Sequence, residues 1–469
     1  MESEVQQTPG IQIKKPKKII GFILIIICTL LAIYLFMSMY FKNHFYFGTE
    51  INSVKVSGKT VEEAEELVMK RLQNYTLSLE GRQGHKERIV GKDIGLKHNS
   101  KDEIQKIKDN QKPLAWISAV FSSKNKKSVI KVTFDEKLLE EQIDKLSFFD
   151  EKNIIEPVSA SIDFKDNSYV IIEEVKGTRI KKETLFSSLK EAILKSETSI
   201  DLDEAGCYVS PKYTSKSKEI QQLYNTLNKY IGTKITYTFG ETREVLDGAT
   251  INKWISFDDN FQVSIDENKV RIYVDSLAMK YNTVAKRRSF VTSLGKTITV
   301  SGGNYGWSIN KPKEVKDIIT SIKEGENITR EAAFYQRANE FGSYDIGNTY
   351  LELDLTKQHI WYYKDGILIA EGDVVTGNIS RNYGTPAGVY TLAYKQRNAT
   401  LRGENYATPV SYWMPFNGNI GLHDAYWRNA FGGEIYKTNG SHGCVNAPPS
   451  VAKTIYNNIE AGTPVVCYE

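Results

Sequence analysis

Thr349 to Gly377 reads TYLELDLTKQHIWYYKDGILIAEGDVVTG, and its apolar positions recur every second residue. Leu351, Leu353 and Leu355 alternate with Glu352 and Asp354, and a second apolar run follows on each side of Lys364-Asp365-Gly366. Period two with a glycine at the turn is the pattern of a hairpin that buries one face, whereas a helix would repeat every 3.6 residues. Short runs of the same kind, punctuated by Gly, Pro and Asn, continue to the C-terminus. They predict a mainly-β domain over 348–469, a sandwich or a barrel.

Two of the six histidines and one of the four cysteines fall close together in the second half of this β region. His423 is followed by seventeen residues and then by Ser441-His442-Gly443-Cys444-Val445-Asn446. A free thiol is mostly protonated at pH 7, so a cysteine nucleophile needs a base or a cation beside it. His442 would share a face with Cys444 in an extended segment, and His423 must arrive by folding. Gly443 admits a close approach and a bend that turns main-chain N–H groups toward an oxyanion. Ser441 can fix a histidine tautomer through its hydroxyl. The set suits acyl transfer. Two imidazoles and a thiolate would also accept zinc, but no fourth ligand is evident and the spacing fits no common zinc pattern. Neither a metal nor a cofactor is called for. Papain-like enzymes place the cysteine first and the histidine far downstream, the reverse of this order.

Ahead of the motif lie Tyr406, Tyr412, Trp413, Phe416 and Trp427. They form either a lid over a substrate groove, with Tyr412, Trp413, Trp427 and Asn446 touching substrate, or the packed edge of a β-sandwich.

Upstream, two stretches repeat in the same order. Thr76–Lys97 pairs with Ile235–Phe257, each an alternating strand, a polar turn and a second apolar stretch. Val129–Gln142 pairs with Lys269–Asn282, each read as a strand ending in Asp135 or Asp275, with that Asp capping a helix. Gly177–Ile193 pairs with Gly306–Ile322, where Phe186, Leu189 and Ile193 match Val315, Ile318 and Ile322 on one helical face. The expectation is two α+β modules, 46–211 and 215–338.

Ile19 to Phe41 contains no charge and is long enough for a bilayer core. Lys14, Lys15, Lys17 and Lys18 precede it, so 19–41 is expected to be a transmembrane anchor with 1–18 cytoplasmic and the rest outside the cell membrane. No A-x-A-like cleavage site follows. The net charge of +4 is small, and half of it lies in the basic tail, which argues against nucleic-acid binding. Beyond the apolar run the cysteines are Cys207, Cys444 and Cys467, an odd number that indicates no disulfide framework.

The spacing from His423 to Ser441-His-Gly-Cys-Val-Asn446 resembles the signature of L,D-transpeptidases, the YkuD-type catalytic domain. Tyr350–Gly366 is similar to that domain's opening hairpin, and Thr376-Gly377 and Thr385-Pro-Ala-Gly-Val-Tyr390 to its TG and TP-x-G segments. The upstream repeats resemble peptidoglycan-binding modules that often precede it. The resemblance implies a cell-wall acyltransferase in which Cys444 attacks a tetrapeptide stem of peptidoglycan, releases D-Ala and passes the acyl group to a neighbouring stem as a 3→3 cross-link. With water as acceptor the enzyme would be an L,D-carboxypeptidase. Carbapenems would acylate the same sulfur. By motif position His423 is the general base and acid, Ser441 orients it, His442 supports the site, and the N–H groups of Gly443 and Cys444 form the oxyanion hole. Asn446 stands where many members have Arg, so the contact of that Arg is weaker here or supplied by another residue. The alternative from another class is a non-catalytic wall-binding surface protein, since most of the chain beyond the anchor is repeats.

Overall fold

The computed structural model describes residues 17–99, 101–121, 127–403 and 406–469. All but two residues of the expected basic tail, 1–18, lie outside them. The chain divides into two compact units, 1–161 with 173–215, and 162–172 with 216–469.

In the first unit, α1 (Lys17–Asn43) is an unbroken helix of 27 residues. At 1.5 Å per residue it extends about 40 Å, enough to cross a bilayer. Large apolar side chains from Ile20 to Phe36 are exposed along it, whereas a core helix would bury a stripe. Next, α2 (Val61–Gln73) opens on a capping box, in which the Thr60 hydroxyl accepts the Glu63 N–H and the Glu63 carboxylate accepts the Thr60 N–H. Ala64, Val68 and Leu72 of α2 enter one core with Leu77, Leu79 and Ile89 of the hairpin β1 (Thr76–Glu80) and β2 (Lys86–Val90). Asp135 caps α3 (Glu136–Ile143) by accepting from the N–H groups of Lys137 and Leu138. After α4 (Lys182–Leu194), β3 (Ser199–Asp201) returns parallel to β1 with Ser199 opposite Ser78.

The second unit opens, after the hairpin 162–172, with α5 (Lys218–Ile231) and the hairpin β4 (Lys234–Phe239) and β5 (Thr242–Leu246). Lys269–Asn282 departs from its reading. It belongs to α6 (Glu267–Tyr281), Asp266 is the cap, and Asp275 lies mid-helix. Val270, Ile272 and Val274 imitate strand alternation, but Ile272 is exposed and the buried stripe is Val270, Val274, Leu277 and Ala278, which is helical spacing. A further hairpin, β6 (Arg288–Val291) and β7 (Thr297–Val300), precedes α7 (Lys311–Glu324) and β8 (Asn327–Arg330). β8 runs parallel to β4 with Lys234 opposite Asn327, so both copies share one topology: hairpin, helices, parallel return.

From Tyr350 the chain forms two sheets. β9 (Tyr350–Asp354), β10 (His359–Lys364) and β11 (Ile367–Asp373) are the meander foreseen in the opening stretch. They join β12 (Gly388–Thr391) and the last strand in a five-stranded sheet. β13 (Gln396–Gly403), β14 (Tyr406–Asn417), β15 (Ile420–Asp424) and β16 (Val445–Ala447) form a four-stranded sheet in that order. α8 (Pro449–Asn458) then leads to β17 (Pro464–Tyr468), which inserts between β9 and β12. Leu351, Leu353, Met414, Leu422, Val445 and Val465 meet in the core between the sheets.

The hairpin β6–β7 packs on this domain. Phe290 and Val300 cluster with Val389, Val466 and Tyr468. At the same place the buried Glu352 carboxylate accepts from the Ser293 N–H at 2.8 Å, the Ser293 hydroxyl at 2.5 Å and the Tyr468 hydroxyl at 2.6 Å.

Candidate active site

β15 and β16 pair in parallel, Leu422 opposite Val445 and His423 opposite Asn446. Side chains alternate along an extended chain, so Cys444, two residues before Asn446, turns to the face that carries His423. The segment leading to Cys444 is held by small residues and hydroxyls. Gly443 has φ +121°, a region that favours glycine, and a Cβ there would lie 3.2 Å from Ile420. Behind it, Gly377 approaches so closely that a Cβ would sit 1.9 Å from the Tyr383 carbonyl and 2.9 Å from the Gly443 Cα. The Thr385 hydroxyl donates to the Gly443 carbonyl at 2.7 Å and accepts the Gly377 N–H at 3.1 Å.

Ser441 works within this loop. Its hydroxyl donates to the Cys444 carbonyl at 2.5 Å and accepts the Gly443 N–H at 3.0 Å. The expected bond that orients a histidine is therefore replaced by two that shape the turn, because the hydroxyl proton is already given to Cys444. The Gly443 N–H, expected in an oxyanion hole, points at Ser441 in this state.

His423 is 3% exposed. Its Nδ1 faces the Asp424 carbonyl at 2.9 Å, and a ring nitrogen facing a carbonyl must carry the proton. Nε2 is then the lone-pair nitrogen, and it accepts the Asn446 side-chain amide at 3.1 Å. Burial pushes the His423 pKa below 6.5; the Asp424 carbonyl opposes that shift and Arg428 adds to it. The Asp424 carboxylate accepts the Tyr412 N–H at 2.8 Å, so Asp424 orients His423 through its main chain. Among the described residues, no group of three or more His, Cys, Asp or Glu side chains is placed to hold a metal ion.

Cys444 is partly buried and its thiol donates to the Asn419 carbonyl at 3.4 Å. Burial raises its pKa, which the Gly421 N–H partly offsets. A raised thiol and a depressed imidazole together favour the neutral pair at rest. The thiolate held ready by a histidine that the sequence suggested is not the resting arrangement.

A cleft of about 510 Å³ opens over these groups, lined by His423, Trp427, Arg428, His442, Cys444 and Asn446 among others. The His442 ring lies 5.0 Å from that of Tyr383. The aromatic residues divide. Trp427 is exposed at the cleft, 5.9 Å from the His423 ring. Tyr412 and Trp413 do not line it: Tyr412 packs in the sandwich core, and Trp413 packs with Ala399 and Val410 against Cys444. Strand alternation gave no sign of this, since β14 is covered on both faces. The main chain of Tyr406 is in β14. Sequence reasoning missed Arg428, whose Nε donates to the Asn446 Oδ1 at 2.8 Å. The signal available was Asn446 itself, in a place where a cation was due.

Residues 348–467 match the family model for the YkuD L,D-transpeptidase catalytic domain, and 88–201 and 213–330 each match that of a "Putative peptidoglycan binding domain". A cysteine-to-serine mutant of Enterococcus faecium L,D-transpeptidase is 36% identical, over 52% of this chain and 98% of that one, with a TM-score of 0.44. The avibactam carbamoyl enzyme of Ldtfm is 36% identical over 53% and 99%, with a TM-score of 0.44. The E. faecium L,D-transpeptidase catalytic domain acylated by ertapenem is 46% identical over 26% and 98%, with a TM-score of 0.25. A search of curated proteins found no match. The match to the YkuD catalytic domain and these relatives identify an acyltransferase of the YkuD type. On the identity and coverage of those relatives, this chain belongs to the L,D-transpeptidase family.

Proposed function

We propose that the chain cross-links peptidoglycan through a Cys444 thioester. The observation that carries this reading is the orientation of His423: Nδ1–H bound to the Asp424 carbonyl leaves Nε2 unprotonated in the cleft that holds the Cys444 sulfur. At rest Nε2 is covered by the Asn446 amide and the thiol by the Asn419 carbonyl. Rotation of the thiol away from Asn419 as a stem peptide enters brings the S–H to Nε2, and catalytic hydrogen bonds commonly tighten only in the substrate complex.

His423 takes the thiol proton as sulfur attacks the carbonyl between the third stem residue and D-Ala. The C–N bond breaks, the imidazolium gives its proton to the departing D-Ala amine, and a thioester remains. The side-chain amine of the third residue on a neighbouring stem then attacks, loses a proton to His423 and releases the thiolate, giving a 3→3 link. Water in that place gives the L,D-carboxypeptidase reaction. The oxyanion is met by main-chain N–H groups of the Gly443-Cys444 turn, the Gly443 N–H exchanging Ser441 for the substrate oxygen. Ser441 holds the turn, His442 borders the cleft, and Trp427 and Asn446 contact the stem. The ertapenem-acylated relative supports the expectation that carbapenems acylate Cys444 here as well.

In the same reading α1 anchors the chain in the cytoplasmic membrane, with the two α+β modules and the catalytic domain on the wall side. The modules, 46–211 and 215–338, hold or locate polymer, and 348–469 carries the chemistry.

The test is incubation of the purified chain with a disaccharide-tetrapeptide, wild type against Cys444→Ala. Dimers and free D-Ala are expected from the wild type alone; equal product from the variant would sink the proposal.

A further inference from the structure

Among the described residues lining the catalytic cleft, Arg428 is the only Lys or Arg, and no Asp or Glu is present. Arg428 is half-buried, and no carboxylate among the described residues pairs with it. A guanidinium carries five N–H donors in a planar fork. One of the five, on Nε, goes to the Asn446 Oδ1 at 2.8 Å; the four on the two Nη atoms have no partner among the described hydrogen bonds. Burial without a counter-ion also lowers the Arg428 pKa, which is the electrostatic mark of a cation waiting for an anion.

We infer that Arg428 is a carboxylate-binding subsite, one that holds the terminal α-carboxylate of the residue released from the donor peptide. The inference rests on the acyl transfer proposed above. A single side-chain amide separates the two functional groups, for Asn446 accepts from Arg428 through Oδ1 and donates to His423 Nε2 through Nδ2. In an amino-acid leaving group the amine and the carboxylate hang on one Cα. The nitrogen that His423 must protonate and the oxygens that Arg428 would grip are thus as close in the substrate as their partners are in the cleft. A planar fork facing a carboxylate permits two parallel charge-assisted bonds, which fix direction as well as add affinity.

A selection rule follows. A donor with one more residue carries its carboxylate about 3.5 Å further along the chain, and a neutral amide takes its place. The cation then loses its partner. Arg428 would make the cleft favour a peptide that ends one residue beyond the bond to be broken.

The experiment compares a disaccharide-tetrapeptide bearing a free C-terminal carboxylate with the same molecule as its C-terminal carboxamide, on wild type, Arg428→Gln and Arg428→Lys full-length chains. Wild type is expected to lose about 10- to 100-fold in kcat/KM from acid to amide, mostly through KM. Arg428→Gln should lose the same on the acid and no more on the amide, and Arg428→Lys should recover part of the loss. If Arg428→Gln reduces acid and amide by one common factor, the arginine merely props Asn446 and His423, and the inference fails. It fails too if wild type uses both donors equally. A readout without turnover is calorimetric binding of the tetrapeptide to Cys444→Ala and to Cys444→Ala with Arg428→Gln. A tenfold weaker affinity in the double variant is expected, and equal affinities would overturn the subsite. Turnover retained by Cys444→Ala would instead refute the thioester reading and leave the binding result standing on its own.

Discussion

The side-chain amide of Asn446 donates to Nε2 of His423 at 3.1 Å, on the ring nitrogen that in the proposed reaction receives the Cys444 proton. Asn446 therefore acts as a gate on the base as well as a relay from Arg428. Asn446→Ala should uncover Nε2 and let His423 draw the thiol proton in the resting enzyme. Alkylation of Cys444 by iodoacetamide at pH 7 should quicken by about three- to tenfold, since general-base help to a thiol is of at least that order. Unchanged alkylation would show that the amide does not restrain the base.

His423 binds a proton less readily folded than unfolded, because burial disfavours the imidazolium. A depressed folded pKa gives stability that is complete above pH 6.5 and lost as the pH falls below it. The melting temperature should drop more steeply from pH 7 to about 5 in wild type than in His423→Gln. The acid limb of kcat/KM should likewise lie below 6.5. Parallel melting curves for the two chains would contradict this account.

Ser441 bonds the Cys444 carbonyl and the Gly443 N–H, so its removal should disturb the turn and leave the titration of His423 alone. We expect Ser441→Ala to lower kcat by about tenfold, the scale of one lost hydrogen bond near 1.4 kcal/mol. The pH midpoint of the acid limb should stay put. A shifted midpoint would restore the role in orienting histidine that the motif implied.

Gly377→Ala should cost about 3 kcal/mol of stability, because its Cβ would meet the Tyr383 carbonyl at 1.9 Å and backbone cannot step aside cheaply. Gly384→Ala is the control. Its Cβ would find only Ile379 at 3.6 Å, so chemical denaturation should place it within about 0.5 kcal/mol of wild type. Similar losses in both would point to general loop fragility.

Glu352 is buried beneath three donors, of which the N–H and hydroxyl of Ser293 tie β6–β7 to the catalytic sheet and the Tyr468 hydroxyl comes from within that sheet. Glu352→Gln replaces an acceptor oxygen with an N–H2 facing N–H and O–H groups and should cost about 2 to 4 kcal/mol. Denaturant midpoints measure it, and a neutral result would mean that the hairpin is held by Phe290 and Val300 alone.

The legibility of this chain varied with the range of the interactions involved. Alternation in Thr349–Gly377 sufficed for β9 to β11, since a hairpin is closed by residues adjacent in sequence. The duplication was legible for the same reason, each copy repeating a local order of hairpin and helix. Lys269–Asn282 misled because Val270 and Val274 satisfy both a period of two and a spacing of four, and only burial from neighbouring elements excludes Ile272. Tyr412 and Trp413 read equally well as lid or core, and their burial was settled by layers that sequence spacing does not contain.

Sequence alone determined the chemistry available: a cysteine, two histidines and the small residues that let a chain bend tightly, on a β framework behind an apolar helix. The tertiary structure decided how those groups are used. Pairing β15 with β16 set Asn446 against His423 and brought Arg428 to Asn446, and burial then moved the imidazole and the thiol in opposite directions. Protonation and hydrogen-bond choice depend on which groups meet in space and how much water remains around them, and neither quantity is local to the sequence.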